Sequence, residues 1–234
     1  MVYRSPFSDF TGQQVRVAIL DSGVNPAHPH VSEVAGGVNL SADIESRNFL
    51  DFIGHGTAVA GAIREKAPGA MLYAVKVFDQ TLRTNAEIIV RGIEWAIEHE
   101  MHIINLSLGT LNKAHCERFN QIIERASACK IAVVAAREMS GEEVLPGCLP
   151  GVIAVGLDSN CPRDFYRNER FGDRLVFMTS GYPRSIPGVS PERNLNGISF
   201  AVANMAGFVA RARQAYPAVS VAELEQLLFE AAVC

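Results

Sequence analysis

Val15-Arg-Val-Ala-Ile-Leu20-Asp21-Ser-Gly23 joins a short run of aliphatic residues directly to an acid, a hydroxyl and a glycine. Such a run suits a strand buried on both faces of a parallel sheet. Met71-Leu-Tyr-Ala-Val-Lys-Val77, Ile103-Ile-Asn-Leu-Ser107, Ile131-Ala-Val-Val-Ala135 and Val152-Ile-Ala-Val-Gly156 have the same character. Helical patterns lie between them. Ile89, Ile93 and Ile97 recur at four-residue spacing across Thr84 to Glu100, beside Trp95, and Phe119, Ile122, Ile123 and Ala126 mark a second helix. Thr84 and Glu87 have the spacing of a capping box for the first of these. Strand and helix in alternation argue for βαβ units and a doubly wound α/β sheet. From Asp158 to Asn196 the pattern loosens into loops around one strand near Leu175-Val-Phe-Met178. Two helices are expected at the end, from Ser199 to Tyr216 and from Ser220 to Ala232.

The whole chain narrows the function classes. Its 234 residues are 48% hydrophobic, enough for a real core, with no repeat or linker, so a single domain over 1–234 is expected. A formal charge of -4 gives no basic footprint for nucleic acid and no polybasic membrane patch. The N-terminus is too polar for a signal peptide, and no apolar run approaches the ~18 residues that span a bilayer. The five cysteines, Cys116, Cys129, Cys148, Cys161 and Cys234, form no CxxC pair. They read as free thiols in a reducing cytoplasm, with no metal site and no cofactor expected.

Three segments carry chemistry: Asp21-Ser-Gly23, Gly54-His55-Gly-Thr-Ala-Val-Ala-Gly61, and Gly197-Ile-Ser199-Phe-Ala-Val-Ala-Asn-Met-Ala-Gly207. Asp21 follows a strand, at the sheet edge where ligands and catalytic groups gather. A carboxylate there can accept the Nδ1 proton of a histidine and fix its tautomer. His55, between glycines, opens a small-residue helix able to pack close to the sheet. Ser199 opens another, where an unpaired N–H and the helix dipole favour negative charge. Each also has a plainer reading: a turn aspartate, a structural histidine and an N-cap serine. Jointly they imply an acid, a base and a nucleophile for acyl transfer, most simply peptide-bond hydrolysis.

With these segments in view, the chain resembles the subtilisin-like serine proteases from about Val15 to Met205. The matching residues are Asp21-Ser-Gly-Val24 with His28-Pro29, His55-Gly-Thr-Ala-Val-Ala-Gly61, Tyr73-Ala-Val-Lys-Val77 and Asn105-Leu-Ser-Leu-Gly109. The resemblance implies a three-layer α/β/α sandwich with a mainly parallel, about seven-stranded sheet. It also implies that Asp21 orients His55, that His55 takes the proton from Ser199, and that Ser199 forms an acyl-enzyme. Ser107, Leu108 and Gly109 would be the edge to which a protein or peptide substrate adds in extended form.

The chain departs from the family in three places. The nucleophile segment reads Gly197-Ile-Ser-Phe-Ala-Val-Ala-Asn204 where the family has Gly-Thr-Ser-Met-Ala-x-Pro-His. The oxyanion asparagine is missing, since Ala135-Ala-Arg137-Glu138 stands where the family has Ala-Ala-Gly-Asn. Losing one such donor costs roughly 10²–10³ in rate. Either Arg137 supplies a charged donor, or the Ser199 N–H acts with little help; alternatively Arg137 and Glu138 merely pair on a loop. Finally, Ala62-Ile-Arg-Glu-Lys-Ala-Pro68 leaves out the usual calcium-binding insertion, and His30 stands where an aspartate ligand is common. Only about 20 residues precede Asp21, so no pro-domain is expected. The resemblance is thus to compact intracellular subtilases, some of which remove leader peptides. The expected function is a cytoplasmic endopeptidase acting on a precursor, with a non-cutting peptide binder or general protein turnover as the alternatives.

Overall fold

The computed structural model describes residues 4–41, 46–78, 82–190 and 193–232. Strand β1 (Arg16–Asp21) is followed by β2 (Gly36–Asn39), helix α1 (His55–Lys66), β3 (Met71–Lys76), α2 (Ala86–Glu98) and β4 (Ile103–Leu106). Then come α3 (Cys116–Ala128), β5 (Ala132–Ala136), β6 (Glu138–Met139), β7 (Glu142–Glu143) and β8 (Val152–Leu157). The chain continues through β9 (Tyr166–Phe171), β10 (Arg174–Thr179), α4 (Ile198–Ala215) and α5 (Val221–Ala231).

Among the described residues one sheet holds eight strands in the order β2-β3-β1-β4-β5-β8-β10-β9. All neighbours are parallel except β9, which runs antiparallel to β10 with Arg174 opposite Phe171. Alternate residues of the strands feed two cores. Val17, Ile19, Ile103, Val134 and Ile153 face α1, α4 and α5. Ala18, Leu20, Ile104, Leu106 and Val133 face α2 and α3. This is the expected α/β/α sandwich, with one strand more than expected. Helices α1 and α4 pack against each other so closely that a Cβ on Gly207 would strike the side chain of Lys66.

Two expectations are corrected. The segment read as loop before Leu175 contains β9, whose Tyr166 is buried and donates its hydroxyl to the Leu228 carbonyl at 2.8 Å. Its remaining residues are mostly exposed, so the strand lacks the apolar run that marks the central ones. The capping box of Thr84 and Glu87 does not form. Asn85 is the N-cap of α2, and its side chain accepts the Ile88 amide at 2.9 Å. Asparagine caps as well as threonine, and the one-residue shift frees Glu87 to pair with Arg118. The last helix does start with a full capping box, between Ser220 and Glu223. Cys116, Cys129, Cys148 and Cys161 are free, and Cys234 lies outside the described residues.

The strand order reverses around β1, with β3 on one side and β4 on the other. In open α/β sheets the crevice at such a point, beyond the C-terminal strand ends, is where ligands bind. Asp21 ends β1 there, and Ser107 follows β4.

Candidate active site

Asp21 is fully buried, and its Oδ1 lies 2.7 Å from Nδ1 of His55, the first residue of α1. The same oxygen accepts the Ser22 amide at 2.7 Å, which fixes the carboxylate in place. With Nδ1 committed to the carboxylate, Nε2 carries the lone pair of the neutral ring. The glycines around His55 have steric causes. Gly54 takes a left-handed φ of 92° at the N-cap of α1. A Cβ on Gly56 would run into the Gly23 carbonyl and the Asp21 carboxylate.

Ser199 is the second residue of α4. The helix's first backbone bonds run from the Phe200 and Ala201 amides to Gly197, so the Ser199 amide lies ahead of the ladder and is open to donate. Ser199 Oγ donates to the Ser107 carbonyl at 3.4 Å, and Ser107 Oγ donates to the Ser199 carbonyl at 3.3 Å. Ser107 Oγ in turn accepts from Asn105 at 2.9 Å. The ring of Phe200 lies 5.6 Å, centroid to centroid, from that of His55. The fold therefore brings Asp21, His55 and the first turn of α4 together, with Ser107 beside them. Beyond Ser107, the backbones of Leu108 and Gly109 make no hydrogen bond among the described residues, whereas Thr110 pairs in both directions with Leu145 at 2.9 Å.

Arg137 is engaged elsewhere. Its guanidinium is 2.9 Å from Glu138 and 2.6 Å from Glu143 and lies 4.6 Å over the Phe171 ring. Glu138 and Glu143 are cross-strand partners in the β6–β7 hairpin, whose turn residues Ser140 and Gly141 have φ of 54° and 82°. Arg137 thus pins a hairpin, and Glu138 is its counter-ion. The two residues do pair, though in a hairpin that also engages Glu143 rather than on a solvated loop. The hairpin tip, Met139 and Ser140, stands between two recesses. One of about 420 Å³ reaches Met178 and Ile198, and another of about 470 Å³ reaches Gly109 and Val144.

Electrostatics favour a charged imidazole. Burial lowers the His55 pKa, but the hydrogen bond and charge of Asp21 outweigh it, with a further contribution from the charge of Asp51. The net direction is upward from the ordinary histidine value. Asp51, whose charge acts on His55, is a residue that sequence reasoning did not single out. The available signal was an acid four residues ahead of a histidine that opens a glycine-capped helix.

Among the described residues no group of three or more His, Cys, Asp and Glu side chains gathers to hold a metal ion. Where α1 leads into β3, the Arg64 guanidinium donates to the carbonyls of Val31, Glu33, Pro68 and Ala70 at 2.7–3.0 Å. Among the described residues no helix is long and apolar enough to cross a membrane.

A doubly wound sheet with a buried aspartate bonded to an imidazole, beside the first turn of a helix that carries Ser199, is the kind of arrangement nucleophilic hydrolases use. Comparison with known proteins agrees: residues 12–233 match the model of the subtilase family, a peptidase family, and the chain belongs to it. It is 31% identical to Subtilisin E of Bacillus subtilis, over 94% of this chain and 60% of that protein. Subtilisin of Bacillus pumilus is likewise 31% identical, over 94% of this chain and 84% of that one. Subtilisin BL of Lederbergia lenta is 33% identical, over 93% and 83% respectively. The chain thus spans about three fifths of the length of Subtilisin E.

Proposed function

We propose that this protein is a serine endopeptidase that hydrolyses a peptide bond through an acyl-enzyme on Ser199. The observation that carries the reading is the 2.7 Å bond from His55 to buried Asp21, with the His55 ring against the residue that follows Ser199. In this reading Ser199 Oγ turns from the Ser107 carbonyl toward His55 Nε2, gives up its proton there, and attacks the substrate carbonyl. The free Ser199 amide and the α4 N-terminus receive the oxyanion. His55 then protonates the leaving amine, and water reverses the sequence to release the acid. The open backbone edge at Leu108 and Gly109 suits an extended substrate strand.

The substrate in this proposal is one protein or peptide precursor, cut at one place. The Arg137-pinned hairpin supports it, because a fixed wall between two recesses restricts which side chains fit. In this proposal the chain is likened, for its compactness and the calcium-binding insertion absent between His55 and Tyr73, to leader-peptide-removing subtilases such as the maturation protease of the quinohemoprotein amine dehydrogenase small subunit. Free Cys116, Cys129, Cys148 and Cys161 suit a reducing cytoplasm. A serine-directed peptidyl phosphonate tests the chemistry. Wild type labelled and Ser199→Ala unlabelled is the expected result; an unlabelled wild type contradicts it and favours the peptide-binder alternative. A proteome-wide cleavage profile with broad, sequence-tolerant cutting would instead indicate general turnover.

A further inference from the structure

The carboxylate of Asp51 receives five hydrogen bonds. Its Oδ1 accepts from Ser22 Oγ at 3.0 Å and from the amides of Ile53 and Gly54 at 2.9 and 2.8 Å. Its Oδ2 accepts from the Thr57 amide at 2.9 Å and the Thr57 hydroxyl at 2.6 Å. Ser22 Oγ meanwhile accepts the Gly56 amide at 3.0 Å, and Thr57 Oγ1 accepts the Asn25 amide at 3.0 Å.

These bonds have one geometric result. Gly54 has no side chain with which to cap α1, so the first-turn amides of Gly56 and Thr57 need acceptors from outside. Ser22 and Asp51 supply them. Asp51 thereby grips the chain before His55, at Ile53 and Gly54, and after it, at Thr57. Through Ser22 it reaches the residue whose amide fixes Asp21 Oδ1. A negative charge at this helix N-terminus is also favourable to the dipole. Burial disfavours the Asp51 carboxylate, but its Thr57 and backbone hydrogen bonds outweigh that and hold its pKa below the usual carboxylate range.

We propose that Asp51 is a positioning residue for His55: it fixes the backbone on both sides of the imidazole, couples it to Asp21 through Ser22, and supplies a second negative charge to its protonated form. The inference rests on His55 being the general base of the proposed peptidase. The charged groups acting on His55 are Asp21 from β1 and Asp51 from the segment before α1. From α4, the ring in contact is that of Phe200.

The test compares wild type, Asp51→Asn, Asp51→Glu and the milder Thr57→Val. It measures the His55 titration by NMR, in otherwise unchanged protein and in a Ser199→Ala background, and kcat and KM on a peptide anilide. Asp51→Asn is expected to move the His55 titration to lower pH and to reduce kcat about 10- to 100-fold, with KM little changed. Asp51→Glu should restore the titration but not kcat, because charge returns without the bonding geometry. Thr57→Val should lower kcat by a smaller factor with the titration near that of wild type. A folded Asp51→Asn with wild-type titration and kcat overturns the inference. So does a Thr57→Val with wild-type kcat, should Asp51→Asn fail to fold. If the wild type hydrolyses nothing while the His55 titration still shifts in Asp51→Asn, the peptidase reading fails and the positioning role stands.

Discussion

His55 Nδ1 and Asp21 Oδ1 are 2.7 Å apart, and the close approach of Gly56 to the Gly23 carbonyl is what lets α1 and the end of β1 come near enough to join them. The acid is fully buried while the imidazole keeps some exposure, so the pair is oriented from the protein side and open on the other.

In the proposed mechanism His55, as general base, must be neutral to accept the Ser199 proton. Because the His55 pKa is raised, the acid limb of kcat/KM should be half-maximal above the ~6.5 of free histidine. Activity is lost as pH falls through that raised value. Asp21→Asn should lower kcat about 10⁴-fold, since an amide no longer holds the required tautomer. A pH profile of both proteins checks this, and an acid limb at or below the free-histidine value would contradict it.

Arg137→Ala separates hairpin anchoring from oxyanion stabilisation. With Glu138 and Glu143 released, the β6–β7 hairpin should loosen, raising KM and broadening the cleaved sequences while kcat stays within a few-fold. A fall in kcat of about 10²–10³ would instead make Arg137 an oxyanion donor. Steady-state kinetics on matched peptides distinguishes the two.

Arg64, in the last turn of α1, places a covalently held cation among four carbonyl oxygens, those of Pro68 and Ala70 on the short connection to β3 and those of Val31 and Glu33 ahead of α1. Arg64→Met should cost about 2–4 kcal/mol, as charge-assisted bonds are lost and carbonyls are left unmatched. A thermal melt measures that loss. Adding EDTA to the wild type should leave its Tm unchanged, and a chelator-dependent Tm would contradict this account.

The central architecture was legible because β1, β3, β4, β5 and β8 lie inside the sheet with helices on both faces, which forces apolar runs into the sequence. Edge elements carry no such mark. β9 shows mainly its polar side chains, and β2 is four residues with two glycines. Asp21, His55 and Ser199 stood out by their small-residue contexts, and the backbone crowding at Gly56 explains why the context around His55 is small. Arg137 could be placed near the site but not oriented, because its partner Glu143 depends on a hairpin register set by the Ser140–Gly141 turn. Asp51 was missed for a similar reason: its five donors come from Ser22, Ile53, Gly54 and Thr57, and only folding gathers them around one carboxylate.

Acylation of Ser199 is the central claim. Intact-mass spectrometry after mixing with an activated peptide ester and quenching in acid tests it directly. The predicted result is a mass increase equal to the acyl group, mapped to Ser199, weakened in His55→Ala and absent in Ser199→Ala. An adduct that survives Ser199→Ala, or a wild type that never gains mass, would contradict it.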